Sequence, residues 1–203
     1  MTNPSANAPS VPTVVIVPGL RDHVDEHWQT LLENKLDRVR SVPPLSENKL
    51  SLAARIAALD AVISDIDGPI VLVAHSAGVM ITVHWALQAN RPIVGALLAT
   101  PADLERQLPE GYPMLEDLNS NGWLPIPRRQ LPFPSIVAVS SNDPLADRLR
   151  VANMAEVWGS RLVDLGDVGH LNPASGYGEW SQAEEFIGEL TQVREDVVSQ
   201  TLT

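Results

Sequence analysis

The chain has no cysteine. That absence excludes disulfides, thiolate metal sites and a cysteine nucleophile together, and it suits a reducing cytoplasm. Basic residues are scarce: 14 Lys and Arg stand against 25 Asp and Glu, for a net charge of −11. An acidic surface repels nucleic acid and anionic lipid, and Arg128-Arg129 is the only adjacent basic pair to set against it. Long apolar runs are missing too, and none approaches the roughly 20 residues that span a membrane. Met1–Pro12, rich in Ser, Asn, Ala and Pro, has neither a basic nor an apolar signal-peptide region and reads as a disordered leader. The five histidines show no metal-ligand spacing, so neither metal nor cofactor is expected.

What is present is a core. Apolar residues make up 44% of 203, enough for one sizeable domain, expected over 13–203. β-rich apolar runs alternate with helical patterns. Strands are expected at Thr13–Pro18, Arg38–Pro43, Ile70–Ala74, Ile93–Ala99, Ser135–Ser140 and Arg161–Leu165. Helices are expected near Asp25–Leu36, Ser51–Asp65, Ala77–Asn90, Leu145–Trp158 and Ser181–Val198. This alternation gives an α/β fold with a parallel sheet of about six strands and helices on both faces. Residues 100–134 break the rhythm with seven prolines and form a candidate lid or short cap segment.

The strongest chemical signal is Ile70-Val-Leu-Val-Ala-His-Ser76-Ala-Gly78. A buried strand runs into a helix with almost no loop, and a serine stands at the turn. This is the nucleophile-elbow pattern of α/β-hydrolases, with Ala74 in place of its first glycine. A turn this sharp needs small residues on either side of the nucleophile. It also sets Ser76 at a helix N-terminus, where the Ala77 N–H is free to serve as an oxyanion donor. Leu20, after Pro18-Gly19 at the end of the first strand, is the candidate for the second donor.

A serine nucleophile needs a base. Chain order in this fold runs Ser, acid, His, and only His170 follows the serine at the end of a late strand. His23 and His27 precede the serine, and His75 and His84 read as packing residues. The acid is expected at Asp143, which ends the strand Ser135–Ser140 and is held extended by Pro144. Asp103, one strand earlier, is the competitor, and Asp147 is expected inside the following helix. His23, Tyr112 and Trp123 are candidate pocket residues.

These stretches also resemble a family. VVIVPG at Val14–Gly19, EHWQ at Glu26–Gln29, VLVAHSAG at Val71–Gly78, SSNDP at Ser140–Pro144 and VWGSRLVDLGDVGHLNPASGYGEW at Val157–Trp180 are similar to the small serine hydrolases of the retinoblastoma-binding protein nine family and its bacterial relatives. The resemblance implies a compact α/β-hydrolase fold, a triad on Ser76, Asp143 and His170, and a small substrate. Two departures stand out. The loop Leu20–His23 lacks the glycine-rich character often seen in relatives, and the L-x-C-x-E motif is impossible without cysteine, so binding of a retinoblastoma protein is not expected. The expected partner is a small ester or amide, with thioesters of polyanionic carriers disfavoured by charge and short acyl chains favoured by the short cap. Two other uses of these residues stay open on sequence alone: a catalytically silent binding module, and a lyase with the same triad.

Overall fold

The computed structural model describes residues 11–201, so the expected leader lies outside the described residues except for Val11 and Pro12. In chain order the elements are β1 (Thr13–Val17), α1 (Trp28–Lys35), β2 (Val39–Ser41), α2 (Leu52–Ser64), β3 (Ile70–His75) and α3 (Ala77–Ala86). They continue with β4 (Gly95–Ala99), α4 (Leu115–Ser120), β5 (Ser135–Val139), α5 (Arg148–Trp158), β6 (Arg161–Asp164) and α6 (Gln182–Thr201). The strands form one six-stranded sheet in the order β2-β1-β3-β4-β5-β6, and every pairing is parallel.

Parallel strands covered on both faces need apolar side chains at every position. β1, β3, β4 and β5 are buried at each residue. Successive side chains serve opposite layers: Val15 and Val17 join one cluster with Leu59 of α2, Met80 of α3 and Met154 of α5. Val14 and Ile16 join the other, with Trp28 of α1 and Phe186 of α6. The edge strands β2 and β6 are half-exposed, which accounts for their weaker apolar pattern. α3 runs through the first cluster, buried from Ala77 to Val83, and is therefore apolar all round.

Helix ends follow caps more closely than composition. α2 begins where Ser51 Oγ accepts from the Ala54 N–H at 3.3 Å. α1, expected from Asp25, starts at Trp28 because His27 caps it. α3 stops at Ala86 rather than Asn90, and β4 pairs only from Gly95 rather than Ile93. Asp147 is not inside α5 but is its cap, accepting from the N–H groups of Leu149 (2.9 Å) and Arg150 (3.3 Å). An aspartate there satisfies otherwise unpaired amides and halts the helix. Segment 100–134 is mostly irregular but carries α4, and its Leu118, Trp123, Ile126, Leu131 and Phe133 are buried in the first cluster. No helix among the described residues is long and apolar enough to cross a membrane.

The connection from β1 leads to one edge of the sheet, and β3 returns on the other side of β1. The loops leaving these two strands therefore part, opening a crevice beyond their carboxyl ends where open α/β sheets hold ligands.

Candidate active site

Ser76 joins β3 to α3 in a single step, with φ 58° and ψ −126°. A side-chain-bearing residue held there stores about 1–3 kcal/mol of backbone strain. Its neighbours explain how the chain tolerates this. A Cβ on Gly78 would fall onto the carbonyl oxygen of Val17 and lie 2.8 Å from that of Pro18, so only glycine lets α3 pass the end of β1 so closely. Ala74 is fully buried. Strain gathers around this edge: of the five non-glycine residues with positive φ among the described residues, Asp22, Ser76, Thr100 and Leu171 belong to its loops.

The structure brings Ser76, His170 and Asp143 together from three loops. Ser76 Oγ lies 2.8 Å from His170 Nε2, and His170 Nδ1 lies 2.8 Å from Asp143 Oδ2 and 3.0 Å from Oδ1. A carboxylate only accepts, so Nδ1 carries the ring proton and Nε2 is free to accept from the serine hydroxyl. Both side chains of the His170–Asp143 pair are nearly inaccessible to solvent. Asp143 also accepts from the Leu145 N–H at 2.8 Å, which fixes the carboxylate before the turn into α5.

His170 is pinned through its backbone. Its N–H donates to Ser175 Oγ (3.0 Å), and the preceding Gly169 N–H donates to Asn142 Oδ1 (2.6 Å). Its carbonyl accepts from His75 Nε2 at 2.9 Å and Thr100 Oγ1 at 3.5 Å. His75 is thus a neutral donor, and burial pushes its pKa well below the ordinary value. His84 donates from Nε2 to the Trp123 carbonyl at 3.2 Å, away from the site, and burial lowers its pKa as well.

The loop after β1 abuts the serine. A Cβ on Gly19 would sit 3.2 Å from Ser76 Cβ and 3.5 Å from Ser76 Oγ, a tight contact that would press on the serine side chain. Leu20 and Ala77 both line the cavity beside Ser76, and their N–H groups have no acceptor among the described residues. That cavity measures about 140 Å³. Leu104, Leu108, Tyr112 and Leu145 give it apolar lining, while His27, Gln29, His75 and Asn172 give it polar lining. The Arg21 guanidinium stacks over the Tyr112 ring, 5.2 Å from its centre.

Two expected pocket residues are elsewhere. Trp123 is fully buried, with its indole N–H donating 2.7 Å to the Leu50 carbonyl, because the turn at Gly122 drops the ring into the core. His23 does not line the cavity and turns towards α1, with Nδ1 3.7 Å from Glu33 Oε2. Asp103, the competing acid, reaches no histidine among the described residues. Both of its oxygens are held by Arg150, whose Nη2 donates to Oδ1 at 3.0 Å and whose Nε donates to Oδ2. His27, Gln29, Asn142, Asn172 and Ser175 are site residues that residue-by-residue reading missed. The EHWQ and HLNPAS stretches flagged the segments that hold most of them, but not their roles. Among the described residues, no cluster of His, Asp or Glu is arranged to hold a metal ion.

Residues 14–189 match a family model described as serine hydrolase. A YdeN-like hydrolase from Pectobacterium atrosepticum is similar at 30% identity and TM-score 0.77, covering 89% of this chain and 91% of that one. The ydeN product of B. subtilis is similar at 18% identity and TM-score 0.69, covering 90% and 100%. Est1E from Butyrivibrio proteoclasticus, solved with ferulic acid bound, shares the fold at 12% identity and TM-score 0.68, covering 97% and 93%. No curated protein matches. With a six-stranded parallel sheet, a serine at a strained strand-to-helix turn and a family match over most of its length, the chain belongs to the serine hydrolases of the α/β-hydrolase fold.

Proposed function

We propose that this protein hydrolyses small, neutral carboxylic esters through an acyl-enzyme on Ser76. The observation that carries this reading is the unbroken chain of hydrogen bonds from Ser76 Oγ through His170 to Asp143, ending at a cavity beside a strained turn. In this reading His170 Nε2 takes the hydroxyl proton as Oγ attacks the carbonyl carbon. The oxygen of the tetrahedral intermediate is met by the N–H groups of Ala77 and Leu20, a reading supported by their lining the cavity beside Ser76 with no acceptor among the described residues. His170 then gives its proton to the departing alcohol, and water repeats the cycle with the same histidine as base. Asp143 holds the ring in the productive tautomer and stabilises its cationic form. No step calls for a metal or a cofactor, and the cysteine-free chain suits a cytoplasmic setting.

Size and charge support the choice of ester. A cavity near 150 Å³ admits a group of about six carbons, and the one beside Ser76 is about 140 Å³. A net charge of −11 works against polyanionic thioesters. Rates on p-nitrophenyl acetate, butyrate and palmitate test the reading. Acetate or butyrate should be preferred, and Ser76→Ala should lower the rate by about 10⁴-fold or more while the protein stays folded. Preference for palmitate, or a rate untouched by Ser76→Ala, would refute it.

A further inference from the structure

One wall of the cavity is polar, neutral and almost completely buried. His27, Gln29 and His75 are 9%, 3% and 5% exposed, and all three line the cavity beside Ser76. Their hydrogen bonds to the protein decide what each leaves free. His27 caps α1: its Nδ1 accepts from the Gln29 N–H at 3.2 Å, so the ring proton is on Nε2. Gln29 Nε2 donates to the carbonyls of Val17 (3.3 Å) and Val73 (3.0 Å), on the neighbouring strands β1 and β3. Both carbonyls can only accept, which fixes the amide and leaves Oε1 as the free atom. His75 Nε2 donates to the His170 carbonyl, so its Nδ1 is a bare acceptor.

None of the three remaining atoms has a partner among the described residues. Nor is any of them sealed off, since the fully enclosed, unpartnered side-chain polar atoms there are Trp28 Nε1 and Ser41 Oγ. His27 Nε2, Gln29 Oε1 and His75 Nδ1 therefore keep contact with open space, and the cavity is the space these residues share. The His27 and His75 ring centres are 4.6 Å apart, and the His75 and His170 ring centres 4.8 Å apart, so the cluster adjoins the reacting serine's base.

Building on the hydrolytic role of Ser76, we propose that this wall is a specificity subsite for a neutral group that both donates and accepts hydrogen bonds, a hydroxyl or primary carboxamide close to the scissile ester. One donor and two acceptors match such a group. They offer nothing to a methyl group, and the two acceptors repel a carboxylate. Buried polar atoms left unpaired by a hydrocarbon substrate cost affinity, which is how a site of this kind rejects an analogue of the same shape. Burial also holds His27 neutral, with its pKa pushed down to about 4, so the donor and acceptor pattern is constant across the neutral range.

The test uses pairs of esters of matched shape, followed by titration of released acid. Methyl β-hydroxybutyrate is compared with methyl isovalerate, and hydroxyethyl acetate with propyl acetate, so that the pair showing selectivity reveals the side of the ester the wall reads. Methyl succinamate and monomethyl succinate supply the carboxamide and carboxylate arms. The wild type should favour a hydroxyl or carboxamide substrate over its hydrocarbon counterpart by about tenfold or more in kcat/KM, with monomethyl succinate the poorest. His27→Asn keeps the helix cap, because Asn Oδ1 also accepts from the Gln29 N–H, but withdraws the Nε2–H. The preference should then fall towards unity. Equal rates within both pairs, a preference surviving His27→Asn, or a preference for the carboxylate would overturn the proposal, the last pointing to Arg21 instead. Labelling of Ser76 by a fluorophosphonate separates the two levels. Labelling with no selectivity refutes the subsite alone, and absence of labelling refutes the hydrolytic reading and the subsite with it.

Discussion

Asp103 and Asp143 follow adjacent parallel strands, and their side chains are 2% and 3% exposed. Their partners separate them. Asp143 meets His170 and the Leu145 N–H, so its charge is directed along the line that leads to Ser76. Asp103 is gripped by Arg150 and accepts from the Glu105 N–H, while Glu105 accepts from Arg150 at 3.0 Å and Arg128 at 2.5 Å. One carboxylate pairs with an imidazole that reaches Ser76, and the other ties α5 to the segment after β4. A buried acid at a strand end is therefore not enough to mark a catalytic role, since what decides it is whether an imidazole or a guanidinium closes over it.

The sharpest way to break this contrast is to neutralise each acid in turn. Asp143→Asn should lower kcat on a short ester by about 10³–10⁴-fold, because an amide favours the wrong His170 tautomer. Asp103→Asn should change kcat little but lower stability by about 1–3 kcal/mol, since it leaves Arg150 without its main partner, partly compensated by solvent. Activity assays and urea denaturation of both variants read this, and the reverse ranking would move the acid one strand earlier.

A second contrast concerns the two glycines at the elbow. A Cβ on Gly78 meets backbone carbonyl oxygens, which cannot yield, whereas one on Gly19 meets the Ser76 side chain. Gly78→Ala should therefore destabilise the fold by about 3 kcal/mol. Gly19→Ala should affect turnover more than stability. Thermal unfolding set beside kcat for the two variants checks this.

A third contrast separates the buried histidines from the surface. His27 has its pKa pushed down to about 4, first by burial and then by the nearness of His170 and His23. In the unfolded chain it takes up a proton near 6.5. Its contribution is thus complete above pH 6.5 and is lost as pH falls towards about 4. The loss amounts to about 1.4 kcal/mol per pH unit within that window, on the order of 3 kcal/mol in all. His75 acts in the same direction. Unfolding midpoints between pH 7.5 and 4.5 should fall, and His27→Asn should flatten part of the slope.

The parts of this molecule that depend on local sequence could be read from it directly. The elbow is legible because a buried strand, a serine and Gly78 are contiguous, and chain order singles out His170. The four inner strands are legible because both of their faces are covered, and the half-exposed edge strands through their place in the strand–helix alternation. What could not be read depends on distant partners. Gln29 is a site residue only because the Val17 and Val73 carbonyls orient its amide, and those strands meet through the fold. Trp123 has the composition of a pocket wall, yet a turn at Gly122 and the Leu50 carbonyl draw it into the core. His23 and His27 lie four residues apart in sequence, and the cap of α1 turns only His27 inward. Asp103 and Asp143 are separable only once Arg150 and His170 are in view.

The most direct test of the central claim is mass spectrometry of the protein after reaction with a fluorophosphonate, in the wild type and in Ser76→Ala, Asp143→Asn and Asp103→Asn. The expected result is a single adduct on the Ser76 peptide, absent from Ser76→Ala, much slower to form in Asp143→Asn and nearly unchanged in Asp103→Asn. An adduct on another residue, or equal labelling rates in the two aspartate variants, would contradict the assignment of Ser76, His170 and Asp143 as one catalytic unit.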